Sequence, residues 1–326
     1  MALRADELID RRRLRRKLTF WRVAALLVAA LAIAAFAWQA FGDGLPGQGA
    51  DQIAKVRIEG TITEDEELLE RLDKIAESDA VKGVILNIDS PGGTTAGGEA
   101  IFEAVRKLAD KKPVVAQVGT LAASAGYMIA SASDHIVARK SSIVGSIGVL
   151  VQFPDLTGLM DKVGIKLEEV KSSPLKAEPS PFNPTTEEER AMLRAMILDS
   201  YDWFVGLVAD RRPLSRVEAE RLADGSVFTG RQALERKLVD TLGGEEEAVA
   251  WLKSKGVDAS LEVIEWKPKP DRASYFLLDA LGAAIAEGLG LAGGRLNLPE
   301  RLGAERLFLD GLVSLWQPDH GTTGER

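Results

Sequence analysis

The chain has 326 residues, no cysteine and two histidines, His135 and His320, so disulfides, thiolate metal sites and a His-rich metal centre are excluded. Its net charge of −8 is unevenly spread: residues 1–22 hold eight Lys/Arg against three acids, a net +5, which leaves −13 on the rest. An acidic body of this kind argues against nucleic acid as a partner.

The basic segment 1–22 abuts Val23–Gly42, 20 consecutive residues without a charge. At 1.5 Å per residue such a helix spans about 30 Å, the thickness of a bilayer's hydrocarbon core. Trp21 and Trp38 flank it, and the arginines precede it, as the positive-inside rule and the aromatic belt require. The expectation is a retained single-pass anchor with a cytoplasmic N-terminus and the rest of the chain on the far side. The competing reading is a cleaved signal peptide with Ala35-Phe-Ala37 as its processing site. Residues 43–52, rich in Gly, Pro and Gln, read as a linker.

From there the pattern alternates between strands and helices. Ile53–Glu59 reads as a strand, Glu64–Ala76 as an amphipathic helix and Val81–Asp89 as a buried strand ending in Ser90-Pro-Gly-Gly93. Gly98–Asp110 reads as a helix and 113–118 as a buried strand. That strand feeds a run of small residues, Gly119–Ser133, in which Ser124 stands at a strand-to-helix transition. Short strands follow at His135–Ala138 and within Ile143–Gln152, then a helix at Leu156–Val163 and a strand at Ile165–Val170.

Lys171–Pro184, with four prolines, reads as an exposed arm. Thr185 or Thr186 caps a long helix whose first turn holds Glu187, Glu188 and Glu189. Helices near 217–223, 230–237 and 245–254 and a strand at 261–266 complete an α/β pattern with a largely parallel sheet, residues 53–268. The extension 269–326 contains two weakly patterned apolar segments, Tyr275–Leu291 and Leu307–Trp316, the first a surface or oligomer-contact element and the second another helix of that kind.

Chemistry concentrates at Ser124. Backbone N–H groups at a helix start can face developing negative charge. Gly93, at the C-terminal end of a strand, offers a further N–H where a side chain would block approach. A lone Ser-Ala-Gly is common as a packing site, and Ser90-Pro-Gly-Gly93 alone is an ordinary turn. The glycine-rich run to Gly98 is not a phosphate loop, since no Gly-Lys-Ser/Thr follows.

Ser124 needs a base. His135 begins a strand directed away from the serine, and His320 lies in a polar tail. Lys176 on the Pro-rich arm is the remaining candidate, with Lys171 as a neighbour; a lysine becomes a base only when its surroundings favour the neutral amine. Ser146 can orient such an amine.

At these residues the sequence resembles the short bacterial form of signal peptide peptidase A, peptidase family S49. The matching pieces are Asp89-Ser-Pro-Gly-Gly93, Ala122-Ala-Ser-Ala-Gly-Tyr127, Gly145-Ser-Ile-Gly-Val149, Lys171-Ser-Ser-Pro-Leu-Lys176 and Phe228-Thr-Gly-Arg-Gln-Ala233 with Leu238-Val-Asp240, in family order. The resemblance implies Ser124 as nucleophile, Lys176 as general base, Ser146 as its support, and the N–H groups of Gly93 and Ala125 as oxyanion donors. It also implies a crotonase/caseinolytic-protease-like core of repeated β-β-α units behind one transmembrane helix, and a ring-shaped homo-oligomer whose sites are shared between subunits. Extended apolar peptides such as signal-peptide remnants would be the substrates, with no metal or cofactor. The alternatives on the same residues are a catalytically silent membrane scaffold and an acyl-CoA hydratase or isomerase.

Overall fold

The computed structural model describes residues 21–23 and 50–268, and the backbone of 313–315. The chain falls into two units, 1–50 and 51–326, and the fold below is that of the second. Of the expected anchor only Val23 lies among the described residues, and Tyr275–Leu291 and His320 lie outside them. No helix among the described residues is long and apolar enough to cross a membrane.

The second unit is an α/β structure. In chain order its elements are β1 (Gln52–Ile62), α1 (Glu66–Glu77), β2 (Val81–Thr94), α2 (Thr95–Ala109), β3 (Val114–Ala123), α3 (Ala125–Ala132), β4 (His135–Ala138) and β5 (Ile143–Gly145). They continue with α4 (Thr157–Val163), α5 (Glu187–Arg211), α6 (Arg216–Leu222), β6 (Val227–Thr229), α7 (Gly230–Glu235), β7 (Thr241–Leu242), α8 (Glu245–Ser254), β8 (Glu262–Glu265) and β9 (Val313–Leu315).

The strands form one mixed sheet with the path β6-β5-β3-β2-β1-β8. In addition β4 joins β3 to β7, and β9 pairs with β2. Pairing is parallel except for β5 with β6 and β2 with β9. β3 serves two neighbours in succession: residues 115–118 pair with β4 and residues 121–123 with β5.

The sequence dictates this centre. β2 is apolar at successive positions because both faces of the sheet are covered. Val84, Leu86 and Ile88 share a core with Leu72 and Ile75 of α1, Val105 and Leu108 of α2, and Met128 and Ile129 of α3. Ile85 points to the other face, with Ile53, Val115, Val137 and Leu252 of α8. These side chains are fully buried, each worth about 1.5–3 kcal/mol of transfer free energy. Helix starts are marked by reciprocal capping boxes at Thr186 with Glu189, Ser215 with Glu218 and Thr229 with Gln232.

Three expectations need correction. β2 does not stop at Asp89 but runs through Pro91-Gly-Gly to Thr94, because Gly92 and Gly93 pair with Thr61 and Ile62 of β1. Ile165–Val170 alternates like a strand yet forms none: among the described residues no strand pairs with it, and Ile165, Leu167 and Val170 stand exposed. Within Leu307–Trp316, expected to be helical, residues 313–315 are extended, held by the edge of β2.

Candidate active site

The site is built where β2 and β3 end side by side. At its left wall, Gly93 pairs with Ile62, and an added Cβ there would lie 1.8 Å from the Ile62 carbonyl oxygen. Only glycine fits that contact. Ser90, fully buried, braces the same stretch. Its hydroxyl donates to the Gly60 carbonyl at 2.6 Å and accepts the Gly92 N–H at 3.1 Å. Thr94 then caps α2 by accepting the Gly97 N–H at 3.1 Å. The backbone at Gly93 is thereby fixed from both sides.

At the other wall, β3 and β5 end on the same paired step, Ala123 with Gly145. The next residue on each strand is a serine with positive φ, Ser124 at 56° and Ser146 at 50°. Two non-glycine residues in this region, side by side, mark a backbone held by its surroundings against its own preference. The surroundings are visible: the Ser124 N–H donates to the Gly145 carbonyl at 2.8 Å, and the Ser146 N–H donates to the Ser226 carbonyl at 2.7 Å. Ser124 is buried at 1% exposure and precedes α3 without capping it through its hydroxyl. As the first residue of α3, Ala125 presents one of the N–H groups that helix geometry leaves without an intrahelical acceptor. An added Cβ on Gly126 would come within 2.9 Å of the Ser90 carbonyl, so α3 packs directly on the Gly93 strand.

The structure therefore brings Ser124, Ala125, Ser146 and Gly93 onto adjoining strand and helix ends. Three positioning groups were given no role from the sequence, although Asp89 and Ser90 stand in a motif quoted there. Asp89 accepts the Leu121 N–H at 3.1 Å, Ser142 donates to the Gly119 carbonyl at 2.6 Å, and Ser90 holds Gly92 as described. Asp89 on β2 and Ser142, just before β5, clamp the backbone that leads to Ser124. A polar residue inside an otherwise apolar strand, as at Asp89-Ser90, is the signal that points to them. Behind α3, the buried Tyr127 hydroxyl donates to the Leu238 carbonyl at 2.8 Å, and burial pushes its pKa up. Leu238-Val-Asp240 is tied in turn to Arg212, whose guanidinium contacts the Asp240 carboxylate at 2.6 and 3.0 Å.

The two lysines of the arm behave differently. Lys171 is paired with both Glu169 and Glu178, and its hydrogen bonds to them raise its pKa, which holds it protonated and unsuited to accept a proton. Glu178 also accepts the Ser180 N–H at 2.6 Å and the Asn183 amide at 3.1 Å, so this cluster braces the base of the arm. Lys176 stands exposed between the two braced ends, with its N–H on the Ser173 carbonyl at 3.1 Å.

His135 is no base for Ser124. It pairs with Val115, nine residues back along β3, about 30 Å of strand from the serine. Its ring stacks on Trp251 with centroids 5.1 Å apart and contacts the Thr241 hydroxyl at 2.8 Å, and burial lowers its pKa. Among the described residues no group of three or more His, Asp or Glu is placed to hold a metal ion.

Comparison with known proteins bears on the fold and the family. A family model described as Clp protease matches residues 52–144, β1 to β5, and gives the fold as a Clp-protease-like α/β structure. A model described as peptidase family S49 matches residues 106–259. A protease-named protein of Methanocaldococcus jannaschii is 40% identical over 219 residues, 67% of this chain and 70% of the other. A similarly named protein of Synechocystis is 37% identical over 74% of this chain and 88% of its own. A protein of Enterococcus faecium named for signal peptide peptidase SppA is 34% identical over 75% of this chain and 74% of its own. With these relatives aligned over most of their length, the chain belongs to peptidase family S49.

Proposed function

We propose that the protein is a membrane-anchored serine endopeptidase in which Ser124 attacks the peptide carbonyl and Lys176 takes and returns the proton. The N–H groups of Gly93 and Ala125 hold the tetrahedral oxyanion, and Ser146 orients the lysine amine. The observation that carries this reading is the pair of positive-φ serines at adjoining strand ends beside the Gly93 contact. Membership of the peptidase family supplies the reaction class.

The lysine comes from a neighbouring subunit of a ring-shaped homo-oligomer. What supports this is the arm itself: braced at its base, exposed at Lys176, and continuous with α4, a helix with no buried residue. Leu159, Val163, Ile165, Leu167 and Val170 are exposed along this stretch, an apolar surface that a second copy would cover. Residues 23–42 anchor the chain in the bacterial cytoplasmic membrane, with the catalytic domain outside. The substrates are extended apolar peptides such as signal-peptide remnants, paired partly through their main chain.

The test uses the full chain in detergent, with wild type, Ser124→Ala and Lys176→Ala incubated with a fluorogenic apolar peptide and a serine-directed covalent probe. The dyad predicts that both variants lose cleavage and probe labelling, and that the wild-type rate rises with pH because only a neutral amine accepts the serine proton. Wild-type hydrolysis in Ser124→Ala would remove Ser124 as the nucleophile, and no hydrolysis by any form with the oligomer intact would leave a silent scaffold or an acyl-CoA hydratase on the same fold.

A further inference from the structure

Two helices leave the site together. α2 starts at Thr95, just after Gly93 and the cap Thr94, and α3 starts at Ala125, just after Ser124. An added Cβ on Gly98 of α2 would lie 3.0 Å from the Ala125 Cβ and 3.1 Å from the Met128 sulfur, so the two helices are in close contact beside the site. The distance between the Gly93 and Ala125 N–H groups is therefore set by how α2 and α3 lie against each other.

At its far end a helix leaves its last carbonyls without intrahelical donors, and α3 has no basic residue in its own last turn to meet them. Two arginines from other helices do so. Arg106 of α2 donates through Nη1 to the Ala132 carbonyl at 2.7 Å. Arg211, the last residue of α5, donates through Nε to the Ser131 carbonyl and through Nη2 to the Ser133 carbonyl, both at 3.1 Å. Three successive carbonyls are thus taken by two guanidinium groups, whose charge also suits the negative end of a helix. The Arg211 fork spans two of them in one rigid plane, a geometry that a lysine ammonium does not reproduce. α2 therefore meets α3 twice, at Gly98 beside the site and at Arg106 behind it, while α5 grips the same end through Arg211.

We propose that Arg106 and Arg211 are positioning residues for the peptidase site: by gripping the end of α3 they fix Ser124 and the Ala125 N–H against Gly93. This role rests on the reading of those three residues as nucleophile and oxyanion donors. Both arginines act through α3, since Ala132 lies about 12 Å along the helix from Ser124. A misplacement of about 1 Å at the reacting centre costs up to about 100-fold in rate. Loss of the grip falls on kcat and spares KM, because it shifts groups that meet the transition state and leaves the peptide's ground-state contacts in place.

Chemical rescue on the full chain in detergent tests the proposal. Arg106 and Arg211 line a cavity of about 500 Å³ with Phe102, Trp203 and Leu207, through which a small cation reaches the end of α3 once a side chain is cut back. Arg211→Ala and Arg106→Ala are each expected to lower kcat on the apolar fluorogenic peptide about 10- to 100-fold at wild-type KM. Ethylguanidinium is expected to restore kcat several-fold in Arg211→Ala, and ethylammonium at the same concentration to leave it unchanged. Arg216→Gln is the control and is expected to keep the wild-type kcat: Arg216 lines the same cavity, but its partners are Asp202 and Glu220. Wild-type kcat in the folded alanine variants overturns the positioning role. So does a loss of activity that appears in KM, or one that ethylguanidinium and ethylammonium restore equally or not at all, because the arginines are then structural only. If Arg211→Ala does not fold, Arg211→Lys decides: a lowered kcat at wild-type KM supports the role, and a wild-type kcat overturns it. Wild-type hydrolysis in Ser124→Ala overturns the reading of the site itself, and the positioning role with it.

Discussion

Gly93→Ala is the sharpest single perturbation of this site. The new methyl would sit 1.8 Å from the Ile62 carbonyl oxygen and 2.5 Å from both the Ile62 nitrogen and carbonyl carbon. Real Cβ contacts essentially never fall below 3.0 Å, so β2 must move away from β1 by more than an ångström at this step. Overpacking of this kind costs about 1–3 kcal/mol. For a domain of this size that is a fall in Tm of about 2–12 °C. The catalytic cost is separate and larger. An oxyanion donor displaced by an ångström no longer meets its target, and losing one donor lowers kcat about 100- to 1,000-fold, some 2.7–4 kcal/mol. Thermal melts and kcat on a fluorogenic peptide would be measured together, with Gly158→Ala as a control, since a Cβ there meets nothing within 4 Å. A folded Gly93→Ala enzyme with wild-type kcat would refute both the contact and the role of this N–H.

Other consequences follow from the braces around the site. Ser90→Ala leaves the Gly60 carbonyl and the Gly92 N–H without their buried partner, so denaturant unfolding should show a loss of about 1–3 kcal/mol, with kcat falling more than KM rises. Lys171→Arg keeps the cation between Glu169 and Glu178, so its pH–rate profile should match wild type, whereas Lys176→Arg should be inactive at every pH. Burial lowers the pKa of His135 below its ordinary 6.5, so the unfolded chain binds the proton first as pH falls. Stability should therefore decline from about pH 6.5 down to the folded-state value and then level off for this group. His135→Phe, which keeps the stack on Trp251, should flatten Tm against pH in that window; an unchanged slope would show that His135 is not responsible.

Much of this was legible in the sequence wherever a residue's neighbours in space are also its neighbours in the chain. The apolar run Val84–Ile88 declares a strand buried on both faces, and Thr186 with Glu189 declares a helix start, because each signal is local. Ser124 was legible as a turn for the same reason: small residues follow an apolar strand directly. Long-range partners decided what was not. Pro91-Gly92-Gly93 carries the signature of a turn, but Thr61 and Ile62, thirty residues earlier, supply the pairing that keeps it extended. Ile165–Val170 carries the signature of a strand, and among the described residues no strand pairs with it. Residues 313–315 take their extended form from Gly92–Thr94, more than two hundred residues away. The positive φ of Ser124 and Ser146 is likewise set by bonds to Gly145 and Ser226, not by either residue's own preference.

The central claim is a peptidase site made of one subunit's Ser124 and the next subunit's Lys176, and subunit mixing tests it directly. Ser124→Ala and Lys176→Ala chains would be co-expressed with different tags, and hetero-oligomers carrying both tags purified and assayed. In a ring with equal, random occupancy, a neighbouring pair carries both an intact serine and an intact lysine in about one case in four. The account predicts that each variant alone is inactive and that the mixed ring regains about a quarter of the wild-type rate. Mixed rings as inactive as either parent would contradict it, and would place the base of Ser124 on its own chain.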